Sequence, residues 1–411
     1  MFFALKNVVK CFFKKDKIPR FAQNGIPYHC HLGCEYYSKK HGGRMKLPLV
    51  SLLLLFALAL GIFVFPQKSF SDTENRSLQT WQTPSVRSLT NGEFFARLRD
   101  FYTDQLPLRT LWIRGKATVE RALGKQENNG ILFGKNGYLI PKNEYSDLSV
   151  AEKNLSAIAV FGAKTELPVT TLLVPRSIDV MTEQLPSLYD DTHAQEILSL
   201  MEKNADFSIF PLEELKNASE SGTQVWFKTD HHWTADGAYL AYRSLSDALN
   251  YTPYPPSYFE KETVSDCFLG TSYSKAGGVA SEADSIVLYR FEGDSQRILE
   301  NPQTGETQNG FYDLSALDKK DHYQVFLGGN TARLTLRDPN DTKPRLLLIK
   351  DSFANALVPF LALHFDIDLI DPRYYQGSIN AEMLSETYDH ILIEQGLDTL
   401  ATDPSLWRSL S

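Results

Sequence analysis

Cysteine is scarce in this 411-residue chain: there are four, at positions 11, 30, 34 and 267. Only Cys267 lies beyond residue 44, so the body cannot close an internal disulfide and must draw its stability from a core. Basic charge is scarce as well. Residues 1–44 hold nine Lys/Arg against two Asp/Glu, which leaves 33 basic against 48 acidic residues afterwards, a net charge of −15. Phosphate polyanions repel such a body, which excludes nucleic acid as a principal partner. Disorder is excluded by the 43% of hydrophobic and 12% of aromatic residues, and the length suits about two to three domains.

One long uncharged run is present. Residues 47–65, "LPLVSLLLLFALALGIFVF", are about long enough to cross a bilayer as a helix. Lys39, Lys40, Arg44 and Lys46 precede the run and only Lys68 follows closely, so the positive-inside bias sends the chain after Pro66 to the outer face. Residues 47–66 therefore read as a transmembrane anchor, with a signal peptide as the alternative. Residues 1–46 read as a cytoplasmic tail or a mis-assigned start, since Met45 opens an ordinary export sequence. The tail contains His29, Cys30, His31 and Cys34, but no second ligand pair stands at zinc-finger spacing, and no metal is expected there.

Residues 67–125 read as a linker and helical lead-in. Phe94, Phe95, Leu98 and Phe101 recur at helical spacing, and Leu111, Ile113 and Val119 continue an apolar face. Residues 126–411 form the remaining domain. It opens on "NNGILFGKNGYLIP", a hairpin with a glycine turn at Lys135–Gly137. Short apolar runs then end in polar residues: "VTTLLV" at Pro175 and Arg176, "RLLLI" at Lys350, Asp351 and Ser352, "IDLI" at Asp371 and Arg373, "HILIEQG" at Gln395 and Gly396. Runs of this kind suit strands buried on both faces of a mostly parallel sheet, so a three-layer α/β domain is expected. Ligands bind such sheets outside the carboxyl ends of the strands.

Two stretches carry chemistry. In "RLLLIKDSFANALVPFLALHF", Ser352 falls where a strand turns into a helix running through Ala354, Leu357, Leu361 and His364. There it serves either as a nucleophile beside free backbone N–H groups or as a plain N-cap. In "DHHWTADG", Thr234 caps a helix through Ala238, Ala241, Leu245 and Leu249. Extended chain before that cap would point Asp230 and His232 together and His231 away. A carboxylate beside an imidazole fixes its tautomer and raises its basicity, as a serine nucleophile requires. Arg176 and Arg373 would either hold a substrate carboxylate or pair with acids at the sheet end. Tyr273, Tyr374, Tyr375 and Trp233 are either sugar-stacking platforms or core.

Asp230-His231-His232-Trp233 followed by Asp351-Ser352-Phe353 resembles the DHHW family, which is related to the SGNH-hydrolase-like domains of alginate O-acetylation proteins. The likeness extends to "ENRSL" at 74–78, "FLGTSYSKAG" at 268–277, "VFLGGN" at 325–330 and "DPRYY" at 371–375. The resemblance implies a circularly permuted, three-layer SGNH-hydrolase-like domain, since the Asp-x-His pair precedes the serine. It implies a Ser352–His232–Asp230 triad. Beside it, Phe353, Gly329, Asn330, Arg373 and Tyr374 are the oxyanion or substrate candidates. It implies a membrane-anchored extracytoplasmic O-acetyltransferase or acetylesterase on an exopolysaccharide or wall glycan, needing no cofactor and supplied with acetyl groups by a membrane-bound O-acyltransferase. A non-catalytic carbohydrate-binding scaffold of the same fold is one alternative. The other is a metal-dependent phosphoesterase, for which no upstream Asp-x-Asp set completes a two-metal site.

Overall fold

Four apolar strands feed two different cores by alternation. Leu346 and Leu348 join one cluster with Leu172, Val174, Ile367, Leu369 and Leu392; Leu347 and Ile349 join the other with Leu173, Ile391 and Ile393. Successive strand residues face opposite ways, so a sheet apolar at every position must be covered on both sides. The computed structural model describes residues 46–411, apart from 72–75, 143–144, 146, 188, 190–196, 198, 201–207, 280, 380–387 and 411. The cysteine- and histidine-bearing tail and part of "ENRSL" lie outside the described residues.

The strands of the main sheet are β1 (Val169–Val174), β2 (Ser208–Ile209), β3 (Ile298–Asn301), β4 (Glu306–Asn309), β5 (Arg333–Arg337), β6 (Arg345–Ile349), β7 (Asp366–Ile370) and β8 (His390–Gly396). Their order is β4-β3-β5-β7-β6-β8-β1-β2. The run β7-β6-β8-β1-β2 is parallel, and β4, β3 and β5 add an antiparallel edge. The sheet is therefore mixed. The edge strands lack the uninterrupted apolar runs of the parallel ones: "ETQN" is polar on both faces, and β3 and β5 bury leucines (Leu299, Leu334 and Leu336) on one face only.

Helices close both faces. Ala235–Ser244 and Ala354–Leu361 bury residues in the first core, while Ser149–Lys164, Leu397–Thr402 and Ser405–Ser409 bury theirs in the second. The hairpin forms as expected: Ile131–Phe133 pairs antiparallel with Leu139–Pro141, and the left-handed Asn136 (φ 52) and Gly137 (φ 83) make the turn. Helices Glu93–Asp104 and Arg109–Ala122 form in the lead-in, but Leu111 and Val119 are exposed rather than packed.

The chain divides into two units at Phe65 and Pro66. In the first, residues Lys46–Val64 form one helix over the run read as an anchor. Part of that helix's side chains is not described, and among the described residues no helix is long and apolar enough to cross a membrane.

Candidate active site

The Asp-His-His-Trp segment sits at the tip of a tight reversal. Trp226 and Trp233 pair as an antiparallel bridge, and the Phe227 N–H donates to the His232 carbonyl at 3.2 Å. Between them, Asp230 Oδ1 accepts the His232 N–H at 3.0 Å. A short carboxylate bonding its own chain two residues on makes a turn. The segment is thus curled, not extended as the alternation argument expected, and His231 does not face away. Its ring centroid lies 3.8 Å from that of His232, and its Nδ1 stands 3.3 Å from Asp230 Oδ1.

Asp230 is saturated. Besides the His232 N–H, Oδ1 accepts from His232 Nδ1 at 2.6 Å; Oδ2 accepts the Thr271 N–H at 2.7 Å and the Thr271 hydroxyl at 3.0 Å. Four donors occupy the four sites of an ionised carboxylate. Burial opposes its charge, yet the adjacent His231 and His232 hold it well below the usual carboxylate range. With its proton committed to Asp230, Thr271 Oγ1 receives His231 Nδ1 at 2.6 Å, which assigns that proton to His231 Nδ1. Gly270 makes this seat possible. A Cβ there would lie 2.3 Å from Asp230 Oδ2 and 2.4 Å from its Cβ.

The far nitrogen of His232, Nε2, lies 2.8 Å from Ser352 Oγ. An imidazole that donates from Nδ1 to a carboxylate can only accept at Nε2 when neutral. Burial, then the charge of His231, pushes His232 below its ordinary pKa, so it is neutral near pH 7. Tyr323 fixes the ring plane: the two rings stack at 3.8 Å and 4°, and the Tyr323 hydroxyl donates to the Ser352 carbonyl at 3.0 Å. The Trp233 indole N–H donates to the Phe353 carbonyl at 2.9 Å. The His-Trp segment is thereby bonded to both residues of the turn after β6.

That turn rests on buried charge. Asp351 accepts the N–H of Phe353 and that of Gly396, each at 2.9 Å. Its own N–H donates to Glu394 Oε2 at 3.1 Å. Lys350, 1% exposed, donates to Asn355 Oδ1 at 2.6 Å and Asn330 Oδ1 at 3.2 Å, and burial brings its pKa down to about 8. Burial and the charge of Asp351 push Glu394 well above the usual range. Ser352 is not an N-cap here, because its hydroxyl engages His232 and no side chain caps the following helix.

The other candidates divide. Phe353 abuts the site, its ring 5.2 Å from that of His232, but its N–H is already committed to Asp351. Asn330 accepts from Lys350 and from Asn355 Nδ2 through Oδ1, so its amide N–H pair is what it has to offer. Gly329 is left-handed at φ 100 with its N–H on Phe326 O at 3.3 Å. Arg373 is clamped by Asp371 at the end of β7, and Arg176 by Asp179 in the short helix Ser177–Val180 after β1, both through two bonds. Trp233 is core, whereas Tyr374 is 52% exposed beneath the Arg373 guanidinium. Tyr323, Gly270, Thr271 and Glu394 had no assigned role in the sequence reading. Glu394 shows as an acid inside an apolar strand, and Gly270 and Thr271 lie in the "FLGTSYSKAG" stretch of the family likeness, which names no role for them.

Asp230, His231 and His232 also offer three ligand atoms within 4.8 Å of one another. A cation would have to displace donors from a saturated carboxylate and break the bond to Ser352. The arrangement as it stands is a hydrogen-bonded hydroxyl–imidazole–carboxylate chain.

A family model described as "DHHW protein" matches residues 134–370. The chain belongs to the DHHW family. Among curated relatives it is similar to the probable alginate O-acetylase AlgJ of Pseudomonas fluorescens, at 24% identity over 50% of this chain and 52% of that one. AlgJ of Pseudomonas syringae pv. tomato is 27% identical over 48% and 52%. The chain thus spans about half the length of these relatives. Among solved structures, a DHHW family protein of Eubacterium siraeum superposes with a TM-score of 0.55 at 20% identity, covering 68% of this chain and 95% of that one. Bacillus cereus PatB1 gives 0.54 at 21% identity, covering 67% and 97%. These structures share the fold.

Proposed function

We propose that this DHHW protein is a serine-dependent O-acetyltransferase or acetylesterase acting on a carbohydrate outside the cytoplasm. The observation that carries the reading is the unbroken chain from Ser352 Oγ through His232 to Asp230, at 2.8 and 2.6 Å. Ser352 Oγ attacks the acetyl carbonyl while His232 Nε2 takes its proton. Asp230 holds the imidazolium, and the donor's alcohol leaves with the proton returned by His232. The acetyl-serine then passes its acyl group to a sugar hydroxyl in transfer or to water in hydrolysis, His232 again acting as base. The Asn330 amide is the candidate donor to the oxyanion. The likeness to proteins named alginate O-acetylase supports a polysaccharide acceptor. In this reading residues 47–66 anchor the enzyme, the catalytic unit faces outward, and a membrane-bound O-acyltransferase supplies acetyl groups.

The test is acetyl release from acetylated model substrates by purified variants. Ser352→Ala and His232→Ala each abolish turnover, His231→Ala leaves most of it, and a chelator has no effect. Turnover that survives Ser352→Ala but is lost to a chelator would install the metal reading instead. No turnover in the parent protein, with glycan binding unchanged in Ser352→Ala, would install the scaffold reading.

A further inference from the structure

One ring at the candidate site has no task in the proposed triad. His232 is the middle of three stacked rings: Tyr323 covers one side at 3.8 Å and 4°, and His231 the other at 3.8 Å and 40°. His231 is thus the outermost of the three. Its side chain is 38% exposed, against 8% for His232. Its nitrogens have fixed places. Nδ1 bonds Thr271 Oγ1 at 2.6 Å and stands 3.3 Å from Asp230 Oδ1, the same oxygen that accepts from His232 Nδ1 at 2.6 Å. Both imidazoles therefore turn Nδ1 toward the Asp230–Thr271 seat. The second nitrogen of an imidazole lies across the ring from the first, so both Nε2 atoms point away from that seat, and for His232 this direction leads to Ser352 Oγ at 2.8 Å. His231 Nε2 stands on the same side. Among the described residues it has no hydrogen-bond partner, and it is open to solvent.

Two imidazole nitrogens are therefore side by side at the serine, one committed to it and one unused. In the proposed function the committed one exchanges a proton with the alcohol that the acetyl group leaves or joins. The unused one, on a ring stacked against the first, meets what that alcohol carries on its next carbon. On a sugar this is a second hydroxyl. A hydroxyl both donates and accepts, so it answers Nε2 whether His231 is neutral or charged, which neither a carbonyl nor an ammonium group does.

We propose that His231 selects vicinal diols: its Nε2 bonds the hydroxyl adjacent to the one that bears or receives the acetyl group, while His232 Nε2 handles the proton of the latter. The proposal rests on the serine reading above and names the alcohol on which it acts. In transfer, the acceptor oxygen bonds the acetyl carbon as its proton passes to His232 Nε2; the bond from that carbon to Ser352 Oγ then breaks, and Ser352 takes the proton back. His231 exchanges no proton. It holds the diol in register for attack, as a specificity-determining residue.

The test is hydrolysis, by the full chain, of a methyl glucopyranoside monoacetate, of the analogue whose hydroxyls next to the ester are replaced by hydrogen, and of phenyl acetate. The parent favours the diol ester over its deoxy analogue by roughly 3- to 10-fold in kcat/KM, the worth of one hydrogen bond. His231→Ala and His231→Phe, the second of which keeps a ring against His232, both lose that preference through KM, with kcat and phenyl acetate turnover little changed. His231→Gln, whose amide reaches the Nε2 position, regains part of it. A parent without the preference, or a His231→Phe protein that keeps it, overturns the proposal. Ser352→Ala reads the serine separately: phenyl acetate turnover that survives it defeats the nucleophile but not the diol contact, whereas a preference insensitive to His231 defeats the diol contact and leaves the nucleophile standing. No turnover of any ester by the parent overturns both.

Discussion

Gly270→Ala adds one methyl group where the seat of Asp230 has no room. Gly270 has φ −81, which any residue adopts, so the whole effect is steric and local. The new Cβ would stand 2.3 Å from Asp230 Oδ2 and 2.7 Å from Cγ, against an ordinary van der Waals contact. Because Asp230 Cβ is only 2.4 Å away as well, the whole residue with its turn must retreat by about 1 Å, and a shift of that size costs on the order of 100-fold. Retreat also breaks the bonds from Thr271 and loosens the 2.6 Å contact to His232 Nδ1. Losing the correct tautomer altogether costs about 10⁴-fold in a serine triad. The expected fall in kcat is therefore roughly 10²- to 10⁴-fold, while overpacking costs about 1–3 kcal/mol of stability and leaves the protein folded. The assay is acetyl-ester hydrolysis by parent, Gly270→Ala, Asp230→Asn and the double variant, each checked for its near-ultraviolet circular dichroism. The double variant falls little below the worse single one, since the two changes damage one unit. Full activity in a folded Gly270→Ala protein would refute the role of Asp230 in orienting His232.

Burial and His231 lower the His232 pKa, so kcat/KM rises with pH on a limb below the free imidazole value of about 6.5 and is flat at neutrality; a limb above pH 7 in a pH–rate profile contradicts this. The same depression means the unfolded chain binds the extra proton first, so this group costs stability as pH falls below about 6.5. Glu394 has the opposite sign: its raised pKa gives a contribution complete below about pH 4.5 and lost as pH rises. Glu394→Gln keeps an acceptor for the Asp351 N–H and does not titrate, so its Tm advantage over the parent grows from pH 5 to pH 8. A constant difference across that range defeats the argument. Tyr323→Phe keeps the stack on His232 and loses the bond to the Ser352 carbonyl, which costs about 1 kcal/mol and leaves most of the activity; urea unfolding together with the ester assay reads both.

The parts of this fold that sequence carries openly are those set by side-chain period. Buried parallel strands need apolar residues on both faces, and β1, β6, β7 and β8 each announce themselves as short apolar runs ending in polar residues. Thr234 caps its helix by accepting the Gly237 N–H, as its position before the apolar repeat requires. The turns were harder to read because a side chain writes them. Asp230 bends its own backbone by accepting the His232 N–H, and Asp351 does the same with Phe353. Period-2 alternation would turn Asp230 toward His232, a pair that a curled turn in fact brings together, and would misplace His231. Distance in sequence hides the rest: Gly270 and Thr271 are some forty residues from the carboxylate they seat, and Tyr323 is 29 from the serine carbonyl it holds.

The two aspartate turns also explain why the relay has so little freedom. Asp230 spends its four acceptor sites on the backbone N–H and ring of His232 and on Thr271, and Asp351 fixes the serine turn through Phe353 and Gly396. Tyr323 and Trp233 then bond the two turns to each other through the carbonyls of Ser352 and Phe353. No member of the proposed triad is left to find its place by side-chain rotation alone, so the ordering entropy that the proposed catalytic geometry would demand is met during folding. The consequence is measurable: changes that relax one turn without touching the triad, such as Tyr323→Phe, should act mainly on stability, whereas changes that displace a carboxylate should act mainly on kcat.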